Sequence, residues 1–123
     1  MTSMDHVFST RNLVQNKAIG KRSDDPLPRL LLQLLERAGP DTIVGRASSR
    51  PWASALFQGR RHVIILALRG ADAAARAARF AQGIEEAQWS LHRHFVADIA
   101  IDDQRPMDGG AEIELSVLTI EDW

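Results

Sequence analysis

Residues 61–80 decide the fold class, and they read RHVIILALRGADAAARAARF. The segment opens with an almost continuous apolar run, which predicts a β-strand that is buried on both faces. Gly70 ends that strand, and Asp72 follows as a candidate cap for a helix. From Ala73 onward, apolar residues recur every three or four positions, so we predict an amphipathic helix that continues to about Gln88. The change of period within one short segment indicates a domain that combines strands and helices.

The flanking sequence repeats this alternation. Before the segment, Pro26 and a run of leucines at helical spacing predict a first helix, which stops at Gly39. A strand then starts at Thr42, and Pro51 interrupts it. After the segment, two strands are predicted over residues 94–102 and 111–120, joined by a loop over residues 103–110. The order is α-β-β-α-β-β, which favours an α+β fold: a four-stranded antiparallel sheet with two helices packed on one face.

Length and composition indicate one ordinary domain. The chain has 123 residues, of which 45% are hydrophobic and 25% charged, and this is typical of a globular protein. We predict a single α+β domain over residues 24–123. Apolar residues are too sparse in residues 1–23 to form a face, so we expect a mobile N-terminal tail there.

Several classes of function are disfavoured by what the sequence lacks. There is no cysteine, which excludes disulfides, thiol nucleophiles and thiolate metal sites. The longest apolar run, residues 63–68, is far shorter than the ~20 residues that cross a bilayer, so we expect no membrane partner. No secretory signal is visible, which favours a cytoplasmic protein. No dinucleotide fingerprint occurs either, and we predict no cofactor.

Charge is divided unevenly along the chain. Residues 42–79 contain seven arginines and one acid, whereas residues 80–123 contain ten acids and two arginines. A basic middle and an acidic end should attract each other within one fold or between protomers. The acidic part would repel a phosphate backbone, so nucleic acid is an unlikely partner.

Apolar residues on both faces of the predicted strands suggest self-association. A sheet with helices on one side is usually polar on the other, and a second apolar face needs a cover. A second copy of the chain is the commonest cover for such a face, and two-fold symmetric dimers are the commonest homo-oligomers. The alternatives are the N-terminal tail folded over the sheet, a ligand, or mild exposure of these residues to solvent. The predicted interface residues are Ile64, Leu66, Leu68, Val96, Leu118, Ile120 and Trp123.

The first predicted hairpin is rich in arginine and forms a candidate anion site. Guanidinium groups beside an aromatic ring bind phosphate or stack on bases. The candidate residues are Arg46, Arg50, Trp52, Arg60 and Arg61. Pairing with the acidic second hairpin or with a partner chain would satisfy the same charges.

Four other side chains form a candidate metal site. His92 and His94 lie two apart at the start of a strand, where both would project from one face, and Asp98 would share the face of His94. With His62 from a neighbouring strand, the set has the ligand types that zinc or non-haem iron prefers. Exposed or hydrogen-bonded histidines explain the same residues, and we predict no metal. Asp98 is instead expected to pair with an arginine of the first hairpin.

A catalytic triad is the last candidate, and it is weak. Ser54, His62 and Asp98 supply the residue types of a nucleophile, a base and an orienting acid. No nucleophile-elbow motif surrounds Ser54, and no spacing brings the three together. We therefore predict no catalytic residues and favour a non-enzymatic homodimeric module that acts through protein–protein or small-ligand contacts. The alternatives are a small enzyme or metal-binding protein that uses the strand of His94, and anion or nucleic-acid binding through the first hairpin.

Overall fold

A computed structural model of the chain describes residues 25–122. The predicted tail over residues 1–23 and Trp123 lie outside the described residues. Helices and strands follow in the predicted order, with a short 3-10 helix after the second helix. They are α1 (Leu27–Ala38), β1 (Thr42–Ala53), β2 (Gln58–Arg69), α2 (Ala73–Ala81), the 3-10 helix (Ile84–Glu86), β3 (His94–Met107) and β4 (Gly110–Glu121). Within this range, neither helix is long and apolar enough to cross a membrane.

The four strands form one antiparallel sheet in the order β1-β2-β4-β3. Each predicted hairpin is present, and the two hairpins join through β2 and β4, which pair from Gly59 opposite Ile120 to Arg69 opposite Gly110. β2 and β4 are therefore central, whereas β1 and β3 are the edge strands. The α+β architecture predicted from the sequence is confirmed.

Both helices cover the same face of the sheet. The leucines of α1 and the small residues of α2 pack on alternate residues of the two central strands, and all belong to one hydrophobic core. Leu30, Leu34 and Phe80 meet Ile64 and Leu115 there, each at most 1% exposed. The α2 residues at positions 73 and 77 are buried alanines, whose small side chains face the core.

Arg76 of α2 forms hydrogen bonds with the end of α1, with the turn that follows α1, and with the end of β2. Its side chain is only 7% exposed, although it carries a charge. The guanidinium donates to the backbone oxygens of Ala38 at 3.2 Å and Pro40 at 2.9 Å, and to that of Arg69. It also donates to the carboxylate of Asp72 at 3.2 Å. Asp72 therefore holds this arginine and makes no side-chain hydrogen bond as a helix cap.

Three element boundaries differ from the sequence predictions. Helix α2 stops at Ala81 instead of near Gln88, because Gly83 adopts the left-handed conformation, with φ 68°. β1 continues through Pro51, which an edge strand tolerates because its outer side needs no backbone donor. The predicted loop over residues 103–110 is mostly strand, since β3 extends to Met107 and β4 begins at Gly110.

Bulges interrupt both edge strands. The register shifts at Gly45 in β1, and at Ala97 and Asp102 in β3. Each extra residue exchanges the faces to which the following side chains point, so simple alternation along these strands fails beyond the bulge.

Candidate functional site

The predicted interface residues do not form one surface. Three of them, Ile64, Leu66 and Leu68, are at most 1% exposed and lie beneath the helices. They belong to the core and are not available to a partner, which corrects the prediction for these positions. Val96 is half-buried and packs against the same core.

Leu118 and Ile120 point to the opposite side of the sheet from the core residues. Their exposed fractions are 8% and 3%, so they contribute little surface of their own. Trp123 lies outside the described residues. Side chains of β2 alternate between the two faces as predicted, but Ile64, Leu66 and Leu68 lie on the face that the helices cover.

We call the side of the sheet away from α1 and α2 the open face. It is centred on Val63 and Ile65 of β2, which lie opposite Ser116 and Glu114 of β4. No helix or strand among residues 25–122 packs on it. Val63 and Ile65 are half-buried, whereas Ile43 and Phe95 at its two margins are 50% and 41% exposed. The sequence predicts a second apolar face of the sheet, opposite the helices, and the open face is in that position.

Charge on the open face is split between its two halves. The half formed by β1 and β2 carries four arginines and no acid: Arg46, Arg50, Arg61 and Arg69. The half formed by β4 and β3 carries five carboxylates and one arginine: Asp98, Asp102, Asp103, Glu112, Glu114 and Arg105. The asymmetry along the sequence therefore becomes an asymmetry across one surface.

Arg105 forms ion pairs with three of these carboxylates. It donates to Glu112 at 2.9 Å, forms an ion pair with Asp103, and lies 3.7 Å from the carboxylate of Glu114. The hydrogen bond to Glu112 raises the pKa of the Arg105 guanidinium above its usual value. One cation shared among three carboxylates leaves this half of the face acidic.

Asp98 meets an arginine of the first hairpin, as predicted. Its carboxylate lies 4.0 Å from Arg61, and the two side chains are 63% and 34% exposed. A long, exposed ion pair of this kind adds less than ~1 kcal/mol. Arg61 also lies directly opposite Arg50, so two like charges are neighbours on the basic half.

The predicted anion site is only partly assembled. Arg46, Arg50, Trp52 and Arg61 share the open face, because each pairs with a residue of that face on the next strand. Arg60 pairs with Thr119 and Pro51 and points to the helix-covered side. It is therefore separated from the other four.

His62 lies on the helix-covered side and is fully buried between two hydroxyl groups. Ser49 Oγ is 2.6 Å from its Nδ1, and Thr119 Oγ1 is 2.9 Å from its Nε2. Thr119 donates its own proton to the backbone oxygen of Arg60 at 3.5 Å, so its oxygen accepts from Nε2–H and Ser49 donates to Nδ1. Both ring nitrogens are satisfied by the neutral imidazole.

Burial makes His62 a poor base. Burial, together with the nearby charges of Arg60 and His94, lowers the pKa of the imidazole from 6.5 to about 3. A base with so low a pKa takes a proton from serine only weakly near neutral pH. The Ser49–His62 contact is therefore structural, although its geometry resembles that of a nucleophile and its base.

The candidate metal ligands do not come together. β3 begins at His94, so His92 precedes the strand, and the Nδ1 of His94 contacts the backbone oxygen of His92 at 2.9 Å. The bulge at Ala97 places Asp98 on the open face, whereas His94 is on the other side. Within residues 25–122, no three His, Cys, Asp or Glu side chains are arranged to hold a metal ion.

The candidate triad is also dispersed. Ser54 lies in the turn between β1 and β2, where its Oγ accepts from the backbone nitrogen of Phe57 at 3.1 Å. His62 is buried beneath the helices, and Asp98 is on the open face beside Arg61. The serine that contacts His62 is Ser49, and no local motif in the sequence marks it.

A shallow depression of about 350 Å³ lies beside α1, lined by Gln33, Glu36, Arg37, Ala87, Gln88 and Trp89. Two of its polar side chains already have partners within the chain. Gln33 exchanges two hydrogen bonds with the backbone of Ser90, and Arg37 donates to the carbonyls of Phe80 and Gln82. The indole Nε1 of Trp89, by contrast, is buried and makes no hydrogen bond within the described residues.

Comparison with known proteins adds little. No family model and no curated protein matches the sequence. Among solved structures, the crystal structure of the type 4 fimbrial biogenesis protein PilO from Pseudomonas aeruginosa matches with a TM-score of 0.36 and 18% sequence identity. The alignment covers 91% of this chain and 88% of that chain. A similarity of this degree supports no statement about activity or partners.

Proposed function

We propose that this protein is a homodimeric interaction module whose two copies associate through the open face. The observation that carries the proposal is the charge split across an apolar face that no helix or strand of the described region covers. The half with Arg50 and Arg61 and the half with Glu112 and Glu114 have complementary charge. An isologous contact requires a surface that is complementary to itself, and this one is.

The size of the open face is adequate for a stable contact. Four strands spaced by about 4.8 Å, paired over about ten residues of ~3.3 Å, give a face of roughly 19 Å by 33 Å. A standard interface buries about 800 Å² of accessible surface on each partner, which is of the same order. Ile43, Ile65 and Phe95 would supply its apolar centre and margins.

The strand edges are poorly suited to pairing with another chain. β1 carries Pro51 and the bulge at Gly45, and β3 carries Pro106 and two bulges. Proline removes a backbone donor, and bulges twist an edge away from a flat partner. These features favour face-to-face contact over the extension of the sheet from one protomer into the next.

Charge complementarity also selects the symmetry axis. A two-fold axis parallel to the strands places the basic half of one copy over the acidic half of the other. An axis across the strands would place basic on basic. Within one protomer, Arg50 and Arg61 lie opposite each other, and the only ion pair near them among the described residues is the weak one between Arg61 and Asp98. In the first arrangement, the partner's carboxylates lie near these two arginines. A small anion would meet the same need in a monomer.

Light scattering coupled to size exclusion tests the proposal on the full chain. We expect twice the chain mass of 13.7 kDa for the natural sequence and a monomer for Ile65→Lys. Phe95→Lys is a second variant at a more exposed position, which keeps the test valid if Ile65→Lys fails to fold. Leu32→Lys is the control, because Leu32 is 68% exposed on α1 and lies outside the face.

A monomer at the highest attainable concentration would contradict the proposal and favour the anion-binding alternative. A dimer that both open-face variants leave intact would place the interface elsewhere.

A further inference from the structure

The turn between β1 and β2 presents two apolar side chains to solvent. Leu56 is 84% exposed and Phe57 is 49% exposed. The turn is well fixed, because the nitrogen of Ser54 donates to the oxygen of Phe57 at 2.9 Å and the Ser54 hydroxyl accepts from the nitrogen of Phe57. A fixed turn loses little conformational freedom on binding, so these side chains are prearranged for a contact. We call residues 54–57 the hairpin tip.

The hairpin behind the tip is uniformly basic. Residues 42–69 contain five arginines and no Asp or Glu. Arg60 pairs with Pro51, two positions behind the last pair of the ladder, Ala53 with Gln58. Two positions correspond to about 7 Å along a strand. Arg50 follows one position farther back, and Trp52 lies between these residues and the tip.

We propose that the hairpin tip docks on the surface of an anionic lipid bilayer, with Leu56 and Phe57 inserted among the headgroups and Arg60, which lies outside the open face, paired with lipid phosphates. Apolar side chains backed by basic residues are the composition that binds this interface. Trp52 would lie at headgroup depth, where tryptophan is enriched. Such docking requires no span, so the short apolar runs that exclude a crossing segment do not exclude it.

The small size of the tip favours lipid over a protein partner. Two side chains expose far less apolar surface than the ~800 Å² per partner of a standard protein interface. A bilayer requires no matching shape and accepts a narrow convex feature. The acids Glu121 and Asp122 at the end of the neighbouring strand β4 oppose anionic lipid, so we expect binding to need both the apolar tip and the arginines.

Vesicle co-sedimentation of the full chain tests the docking. We expect binding to phosphatidylcholine vesicles that contain phosphatidylserine, and little binding to phosphatidylcholine alone. Leu56→Ser combined with Phe57→Ser should lower the partition coefficient about tenfold or more. Arg60→Glu, which leaves the open face unchanged, should also lower it, and high salt should do the same. Leu32→Ser on α1 is the matched control and should bind as the natural chain does.

Three results would overturn the inference. They are no binding to phosphatidylserine vesicles, equal binding to both vesicle types, and binding that the tip variant leaves unchanged. In the first case the tip would become a contact for a protein partner. The docking does not depend on the proposed dimer, because the tip variant leaves the open face intact and its mass in solution can be measured separately.

Discussion

At the scale of single residues, His62 shows how context decides what a side chain does. Sequence alone makes it a candidate ligand or base. The fold buries it between Ser49 and Thr119, which are 13 and 57 positions away along the chain. Because these contacts depend on strand pairing, no local pattern could have predicted them.

The buried imidazole should make stability depend on pH. The unfolded chain binds a proton near the ordinary pKa of 6.5, whereas folded His62 resists protonation until about pH 3. Its contribution is therefore complete above pH 6.5 and is lost as pH falls through the window from 6.5 to about 3. The slope is about 1.4 kcal/mol per pH unit, or about 4–5 kcal/mol across the window.

Urea unfolding at several pH values measures this effect. We expect the free energy of unfolding of His62→Gln, which does not titrate, to fall less steeply below pH 6.5 than that of the natural chain. Equal slopes for the two proteins would show that the carboxylates alone cause the acid sensitivity.

At the scale of elements, Arg76 connects α2 to the ends of α1 and β2. Arg76→Met keeps much of the side-chain volume but leaves the buried oxygen of Ala38 and the partly buried oxygens of Pro40 and Arg69 without this donor. An unsatisfied buried group costs about 1–3 kcal/mol, so we expect a loss of ~3–5 kcal/mol in unfolding free energy. Chemical denaturation of Arg76→Met and of the control Arg79→Met, an exposed position three residues later, measures the difference. A loss no greater than that of the control would show that the hydrogen bonds contribute little.

Element type was predictable because apolar periodicity is local, whereas element ends and strand faces were not. The helical stripe continues past Ala81, yet the chain leaves the helix because Gly83 adopts a positive φ. In β3, simple alternation places Asp98 beside His94, but the bulge at Ala97 moves it to the opposite face. A bulge depends on pairing with the next strand, so the sequence of β3 by itself gives no signal for it.

At the scale of the whole molecule, the charge split predicts how the proposed dimer responds to salt. If basic and acidic halves face each other, screening weakens their attraction and the dissociation constant should rise between about 50 mM and about 500 mM salt. Sedimentation equilibrium at several salt concentrations measures it. A dissociation constant that falls with salt would indicate the axis that places like charges together, and one that does not change would show that the charges take no part.

The charge asymmetry itself was visible in the sequence, and so was the need to cover a second apolar face. Which residues form that face was not. Ile64 and Ile65 are equally apolar neighbours, and only the packing of the helices decides that Ile64 is core and Ile65 is surface. The sequence therefore predicts that the candidate site is an apolar, unevenly charged face of the sheet, but it does not identify the residues that form this face.

Arg76 also bears on whether the domain can be divided. The two α-β-β halves invite the idea that each once folded, or could be expressed, as an independent fragment. Yet the second half supplies the guanidinium that the first half's turns require, at Ala38, Pro40 and Arg69. A fragment that ends before α2 would lack this donor, with only water to replace it. The two halves therefore share an order of elements, and we expect the first half to need the second in order to fold.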